Sequence, residues 1–360
     1  MRILHIVPDI GVANGVMSVV LNYAAAMPEN IKFDILYFAE KEKTRKSDIE
    51  ALGGRVFKTD FPSLKDLAGK KAAAFFDAHK NEWSAVHVHC PHFLIFIAPA
   101  ARKAGIKKVA VHCHSTWYSL KPENSLRNKL LYSAGAIFAD KRFACGRKAG
   151  IFWFKSDKKF TVLPNGVNFQ KFAFCSDKRE AMRKELGICG KFAVGNVGRV
   201  YPIQKNHPFV LEVFAKIKEK NRNSVLLLAG ADKTPELCAL AKRLNISDSV
   251  MFLGQRNDVE RLLQAFDVFL FPSLREGLPV CVVEAQAASL PAVMSDCVTD
   301  EVVFKKSFVR SLSLNLGADE WAREVVSLFE STQRAEGALV ENNAWSISSC
   351  AEKLAEYYLN

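Results

Sequence analysis

Two short stretches of the 360-residue chain carry residue types whose spacing suits chemistry on a phosphorylated ligand. In Val197-Gly198-Arg199, followed by Gln204-Lys205-Asn206-His207, a strand-like run ends in glycine, an arginine follows at once, and a lysine stands six positions later. Glycine lets the backbone approach a ligand closely. Two cations at the mouth of a helix, with free N–H groups and the helix dipole behind them, form a site for a diphosphate. The second stretch is Phe271-Pro272-Ser273-Leu274-Arg275-Glu276-Gly277-Leu278-Pro279-Val280-Cys281-Val282-Val283-Glu284. Pro279 suits the start of a helix, which puts Glu276 on a loop at a strand end and Glu284 within the first two turns of that helix. A carboxylate there can accept from both hydroxyls of a ribose, while the Gly277 and Leu278 N–H groups face anionic or hydroxylic groups. Taken singly, each stretch also reads as an ordinary basic loop or a capping carboxylate.

Elements that position these residues follow from the hydrophobic pattern. Short apolar runs at Arg2–Val7, Phe33–Phe38, Arg55–Lys58, Ala85–His89, Lys108–His112 and Ile137–Cys145 predict strands, interleaved with helices over Gly15–Met27, Leu64–His79, Phe93–Ala104 and Ser125–Ala134. A second series has strands at Phe192–Val197, Val225–Ala229, Val250–Leu253, Val268–Phe271, Ala292–Met294 and Phe308–Leu312. Its helices are expected at Pro208–Lys220, Pro235–Arg243, Val259–Ala265, Val280–Ala288 and Asp319–Phe329. Alternation of this kind implies parallel sheets built from βαβ units. The expected fold is α/β, two Rossmann-like doubly wound domains facing across a cleft, with ligands beyond the carboxyl ends of the strands. The turn-rich Leu163-Pro164-Asn165-Gly166-Val167-Asn168 is the expected join, giving domains over 1–168 and 169–344. After a polar segment, Ser331–Asn343, the amphipathic residues 345–360 are expected to return to the first domain.

A hydrophobic fraction of 49% and a charged fraction of 24% describe an ordinary globular chain and exclude disordered and fibrous classes. The longest apolar run, Phe93–Ala101, is under half of the ~20 residues a spanning helix needs. The N-terminus lacks a signal-peptide cleavage pattern, so a cytoplasmic location is expected. Nine cysteines stand singly with no CxxC pair, which suggests free thiols rather than a zinc ribbon. Net charge is +12, and residues 101–160, with 14 basic and 3 acidic side chains, hold +11 of it. Within them, Lys141–Lys155 mixes five basic residues with Phe143, Ile151, Phe152, Trp153 and Phe154, the composition an anionic bilayer surface attracts. The expectation is peripheral docking through 141–155; a solvated basic face over a core stripe is the competing reading. Nucleic acid is not an expected partner, since no nucleic-acid motif accompanies the charge.

In combination, GR…K and EGLPVCVVEAQAASLP resemble the retaining glycosyltransferases of family 4, which have the GT-B fold, and more narrowly the bacterial members that build capsular or exopolysaccharide. FDIL, HCHST, FACGRKAG, LPNGVN, VGRVYPIQKNH and DVFLFPSLREGLPV fall in the family's order across essentially the whole chain. The resemblance implies that Arg199 and Lys205 bind the donor diphosphate, a task needing no metal or cofactor. It implies that Glu284 holds the ribose, that Glu276 with Gly277, Leu278 and Pro279 orients the donor sugar, and that Asn206 and Gly198 lie near the phosphate. A histidine of the first domain, His112 or His114, would touch the sugar. The implied donor is a nucleotide sugar, with uridine the commoner base, and the implied acceptor is a lipid-linked saccharide at the inner membrane face.

Some positions depart from the family. Its glycine loop reads Asn14-Gly15-Val16-Met17 here, with asparagine for the first glycine and methionine for the glutamate. Gly15 can still open a helix toward phosphate or acceptor. Asn168 stands where the family tends to have aspartate. No Asp-x-Asp, GxxxxGK[ST] or early GxGxxG occurs, which disfavours metal-bridged nucleotide binding, a P-loop and a dinucleotide oxidoreductase. A GT-B nucleotide-sugar 2-epimerase and a non-catalytic partner subunit are the alternative readings.

Overall fold

The structure, a computed structural model, describes residues 1–12, 14–60, 69–119, 121–200, 203–337 and 344–360. It divides into two compact units, Met1–Gly166 with Ala344–Asn360, and Val167–Asn343.

In the first unit, β1 (Arg2–Ile6), β2 (Lys32–Tyr37), β3 (Val56–Lys58), β4 (Ala85–Val88), β5 (Lys108–Cys113), β6 (Lys141–Ala144) and β7 (Thr161–Val162) pair in parallel in the order β3-β2-β1-β4-β5-β6-β7. Helices α1 (Gly15–Ala26), α2 (Lys46–Ala51), α3 (Lys70–Ala78), α4 (Leu94–Lys103), α5 (Pro122–Gly135) and α6 (Arg147–Phe154) connect them. The second unit opens with α7 (Phe169–Phe172) and α8 (Ser176–Glu185). It then alternates β8 (Phe192–Val197), α9 (His207–Lys220), β9 (Ser224–Ala229), α10 (Pro235–Arg243), β10 (Val250–Gly254), α11 (Val259–Ala265), β11 (Val268–Phe271), α12 (Val280–Ala287), β12 (Ala292–Ser295), β13 (Val309–Leu312) and α13 (Ala318–Ser331). Its six strands run in parallel as β10-β9-β8-β11-β12-β13. The terminal helix α14 (Ile347–Leu359) belongs to the first unit, where it packs on α1.

Helices cover both faces of each sheet, so central strands read as unbroken apolar runs rather than alternating ones. Every residue of β4 and β9 is buried. Both sheets follow the doubly wound order, which reverses between β1 and β4 in one and between β8 and β11 in the other. At such a reversal the loops leaving the two strands diverge and open a crevice for a ligand.

Several elements differ from the sequence reading. Ile137 and Phe138, expected in a strand, form a 3₁₀ turn, and β6 begins only at Lys141. The cause is α5, which runs on to Gly135, where a Cβ would stand 2.6 Å from the Ile95 nitrogen and hold α4 away. The short β7, α2, α6, α7 and α8 were not expected. Of the helix expected over Leu64–His79, residues 64–68 lie outside the described residues, as do Tyr201, Pro202 and 338–343 of the polar segment.

Close approach at the join explains its glycine. A Cβ on Gly166 would lie 2.8 Å from Ile347 Cδ1 and 3.0 Å from its Cα, so only glycine lets α14 seat there. The Tyr23 hydroxyl of α1 donates to the Pro164 carbonyl at 2.6 Å, and Leu354 and Tyr358 of α14 are buried. Removing the buried Leu354 side chain should therefore cost the unit about 2–5 kcal/mol, against less than ~0.5 kcal/mol for Glu352→Ala on the exposed face of the same helix. Urea midpoints of Leu354→Ala and Glu352→Ala check this.

Candidate active site

In the second unit the loops leaving β8 and β11 diverge from the point of reversal. Val197 ends β8, and Gly198 continues it with an N–H bonded to the Ala229 carbonyl at 2.9 Å. A Cβ on Gly198 would lie 2.9–3.1 Å from the Lys205 Cγ, Cδ and Cε, so glycine is what allows the lysine stem to cross the strand end. Arg199 is exposed. Lys205 closes a 3₁₀ turn over Ile203–Lys205, and Asn206 precedes α9 in a left-handed conformation (φ 57°) that asparagine tolerates. The Asn206 side chain makes no capping bond to the helix.

That turn is tied to the loop after β11. The Gln204 carbonyl accepts from Leu274 N at 2.7 Å and from the Ser273 hydroxyl at 2.8 Å, and the same hydroxyl lies against Glu276 Oε1. Lys205 Nζ stands 2.9 Å from Glu276 Oε1 and 4.5 Å from the centre of the Phe271 ring. Both side chains are mostly withdrawn from water, at 16% and 8% exposure, so the pair is held rather than loosely formed. His207 bonds the Gly198 main chain through one ring nitrogen and buries the other without a partner among the described residues.

Pro279 precedes α12, and Gly277, Leu278 and Pro279 are buried beneath its first turn. Glu284 lies in the second turn of α12. Burial lifts its carboxyl to about 7, with the Lys171 ammonium opposing and the Glu260 carboxylate reinforcing the shift. Cys281, one turn earlier, is within electrostatic reach of Lys205, Glu276 and Glu284 together, so the two sequence stretches converge at one place. The arrangement offers cations to an anion, and two carboxylates to hydroxyl groups. A separate cavity of about 700 Å³, lined by Phe192, Asn221, Val326 and Phe329, opens at the opposite, amino-terminal end of the sheet, where doubly wound folds do not place ligands.

In the first unit, Asn14 accepts from Val16 N at 3.0 Å and Met17 N at 3.4 Å, and donates to the Asp9 carbonyl at 2.7 Å. The family's first glycine is thus replaced by a helix cap. Gly15 is exposed in open space, whereas Met17 is fully buried and presents nothing in the family glutamate's place. Asn168 likewise caps α7 through Lys171 N at 3.0 Å. His112 is buried in β5 and bonds the Leu163 main chain, and its Nε2 has no partner among the described residues. His114, half-buried, uses both ring nitrogens, Nδ1 at 3.2 Å from Asn165 Oδ1 and Nε2 at 2.8 Å from His89 Nδ1. Phe271, Ser273, His89 and Asn165 were not singled out in the sequence. The alternation His87-Val88-His89 against His112-Cys113-His114 was the available signal for the histidines, because period two puts each pair on one face.

The basic segment 141–155 turns most of its aromatics inward. Phe143 and Trp153 are buried, Phe152 and Phe154 are half-buried, and only Ile151 is exposed. More exposed than Ile151 are Leu126 and Leu130 of α5 and Ile137 just after it.

Family models place the chain. Residues 13–171 match Glycosyltransferase Family 4 and residues 191–331 match Glycosyl transferases group 1. The chain is 32% identical over 336 residues to EpsF of Bacillus subtilis (strain 168), covering 90% of this chain and 86% of that one. It is 32% identical over 242 residues to the UDP-Gal:alpha-D-GlcNAc-diphosphoundecaprenol alpha-1,3-galactosyltransferase of Escherichia coli, covering 64% and 62%. Anabaena Alr3699/HepE, solved with UDP and glucose, superposes with a TM-score of 0.81 at 18% identity over 100% of both chains. The match over nearly its whole length, together with two sheets of doubly wound order, makes the chain a glycosyltransferase of family 4 with the GT-B fold.

Proposed function

We propose that the enzyme transfers a hexose or N-acetylhexosamine, with retention at the anomeric carbon, from a nucleoside diphosphate sugar to a lipid-linked saccharide during cell-surface polysaccharide synthesis. The observation that carries this reading is the Lys205–Glu276 pair held at the β8/β11 reversal, with Glu284 close behind it. The related Escherichia coli enzyme takes UDP-Gal to a diphosphoundecaprenol-linked acceptor, and HepE binds UDP, which favours a UDP-sugar here.

In this reading the diphosphate sits between Arg199, Lys205, Asn206 and the N–H groups opening α9. Glu276 and the Gly277–Pro279 backbone meet sugar hydroxyls, Glu284 accepts from the ribose, and His112 or His114 faces the sugar, with Gly15 on the acceptor side. The acceptor hydroxyl oxygen bonds the anomeric carbon as the bond to the diphosphate oxygen breaks, and the hydroxyl proton leaves on the departing phosphate. Charge grows on that phosphate, and the two cations offset it without a metal or other cofactor.

Docking to the anionic inner face of the membrane brings the lipid-linked acceptor within reach. Leu126, Leu130 and Ile137, at 67%, 61% and 77% exposure, form one stripe along α5 and the turn after it, flanked by Arg127 and Lys129. A depression of about 350 Å³ lined by Lys141, Arg142, Lys158 and Lys159 follows directly in the chain. Exposed apolar groups beside clustered cations are what an acidic bilayer surface selects.

A thermal-shift panel of nucleoside diphosphates and their sugars, run in chelator, tests the donor. Ligand at 100 times its dissociation constant adds about 2.7 kcal/mol of stability. A shift selective for UDP or a UDP-sugar supports the reading, and no shift with any nucleotide sinks it. Replacing exposed Arg199 by alanine should lower kcat about 10²–10³-fold at unchanged melting temperature. Lys205→Ala should lose rate similarly and also lose stability, by up to about 3–5 kcal/mol, because the buried Glu276 carboxylate loses its counter-charge and keeps only neutral donors such as the Ser273 hydroxyl.

The raised carboxyl of Glu284 sets a pH dependence. Its folded pKa of about 7 lies above the unfolded 4.5, so the ionised carboxylate costs folding energy as pH rises from 4.5 through 7. Glu284→Gln should therefore raise stability at pH 8, by at most ~3 kcal/mol, and leave it unchanged at pH 4. The same variant should bind the UDP-sugar more weakly, and wild-type affinity should fall as pH drops below about 7 while the variant's stays flat. Calorimetric titration at several pH values reads both. On membranes, Leu126→Asp with Leu130→Asp and Ile137→Asp should abolish sedimentation with anionic vesicles, and Lys158→Glu with Lys159→Glu should weaken it roughly five-fold per charge at low salt.

A further inference from the structure

Five histidines gather on three neighbouring strands of the first unit: His5 on β1, His87 and His89 at the end of β4, and His112 and His114 at the end of β5. Their rings form a packed group, with centroids 4.7 Å apart for His87–His89, 4.1 Å for His112–His114, 5.1 Å for His89–His114 and 5.6 Å for His89–His112. Ring nitrogens of His89, His112 and His114 all lie within 4.8 Å of one another. We propose that these three histidines form a binding site for a divalent first-row transition ion of the zinc type.

Chemistry and orientation support the assignment. His89 Nδ1 and His114 Nε2 face each other at 2.8 Å, and His112 has its Nε2 to offer beside them. His112 Nε2 is buried without a hydrogen-bond partner among the described residues, which leaves a lone pair to satisfy. Burial keeps all three imidazoles neutral near pH 7, the ligating form. Histidines that hold a metal are oriented by a bond from the other ring nitrogen to a carbonyl, carboxylate or similar acceptor. Each of these three has such a partner: the Leu163 main chain for His112, Asn165 Oδ1 at 3.2 Å for His114, and His5 Nδ1 at 2.9 Å for His89 Nε2. With its proton on Nε2, His89 donates to His5. The His5 Nε2–H then faces the Tyr358 hydroxyl at 3.4 Å, and that hydroxyl donates to His87 Nδ1 at 2.6 Å. This ordering serves the chain from His89 to His87 once an ion is bound and leaves the lone pairs of His89 Nδ1 and His114 Nε2 to the metal; without the ion a proton bridges those two nitrogens, so binding releases it from His89 Nδ1 and shifts the tautomers along the chain.

Only a small movement is needed. His89 Nδ1 and His114 Nε2 stand 2.8 Å apart, whereas two nitrogens at ~2.0–2.1 Å from a tetrahedral ion are about 3.3 Å apart. Ring rotations that open this gap by roughly 0.5 Å suffice, and half-buried His114 gives the ion an entry path. His5, His87 and His89 form a second converging trio, but there His5 Nδ1 and His89 Nε2 face each other and both His5 nitrogens are engaged. Three imidazoles leave one coordination position open, as in catalytic rather than purely structural zinc sites.

Titration of chelator-stripped whole protein with Co²⁺ and then Zn²⁺ tests the site. One equivalent is expected, with the intense visible absorption of four-coordinate cobalt. His89→Gln and His112→Gln should each weaken Zn²⁺ binding by at least about 100-fold, and Asn165→Ala by about 10–100-fold. His79→Gln, at the end of α3 among Phe57, Phe75 and Trp83, should leave it unchanged. Zinc-edge X-ray absorption on the wild type should count three imidazoles, a result that does not depend on any variant folding. No stoichiometric binding, fewer than three imidazoles, or affinity unchanged in both His89→Gln and His112→Gln overturns the proposal. The UDP thermal shift, repeated with Zn²⁺ bound, reports on the donor site separately, so its loss would count against that site and not against the metal.

Discussion

An ammonium group held between a carboxylate and an aromatic face organises the second unit. Lys205 reaches Glu276 across the end of β8, over a glycine that cannot be replaced without displacing its stem. Its turn is pinned to the β11 loop through the Gln204 carbonyl and Ser273. A buried pair of this kind contributes little to net stability, because desolvating two charges offsets most of their attraction. Its use is positional. Two loops from strands on either side of the sheet reversal are fixed in register, so a ligand meets cations and carboxylates at set places.

The first unit solves a different problem. Its strands carry histidines on faces buried under α14, and a buried imidazole with an unmet nitrogen is costly. Most of that cost is relieved by bonds that run from Asn165 through His114, His89 and His5 to Tyr358 and His87. The last helix is thereby joined to the carboxyl ends of β4 and β5. Gly166 at the join and Tyr23 on α1 serve the same end, since they let α14 settle against the strands that carry the rings.

Charge and apolar exposure in the first unit also separate by position. The aromatics of 141–155 are needed to pack α6 on the sheet, where Trp153 donates to the Ser115 carbonyl at 2.7 Å, and so are not free to meet lipid. The basic side chains remain outside because their charge cannot be buried unpaired. Exposed leucines fall instead on α5, whose outer face has no other element over it among the described residues.

Much of this molecule was legible without coordinates. Local pattern determines the parallel strands, since each is a short apolar run bounded by turn residues; β8, β11, α10 and α11 lie where the sequence puts them. Glycine, proline and charge at strand ends likewise mark Gly198, Arg199, Lys205, Glu276 and Glu284, because backbone freedom and fixed charge are properties of residue type. What the sequence leaves open is decided by distance in space. It names Lys205 and Glu276 but not their pairing, 71 positions apart, nor the environment that lifts Glu284 to about 7. It cannot show that five histidines on three strands touch one another, or that a tyrosine of the last helix completes their bonds. Strand order and helix docking bring those groups together, and long-range packing is not written in the local spacing of residues.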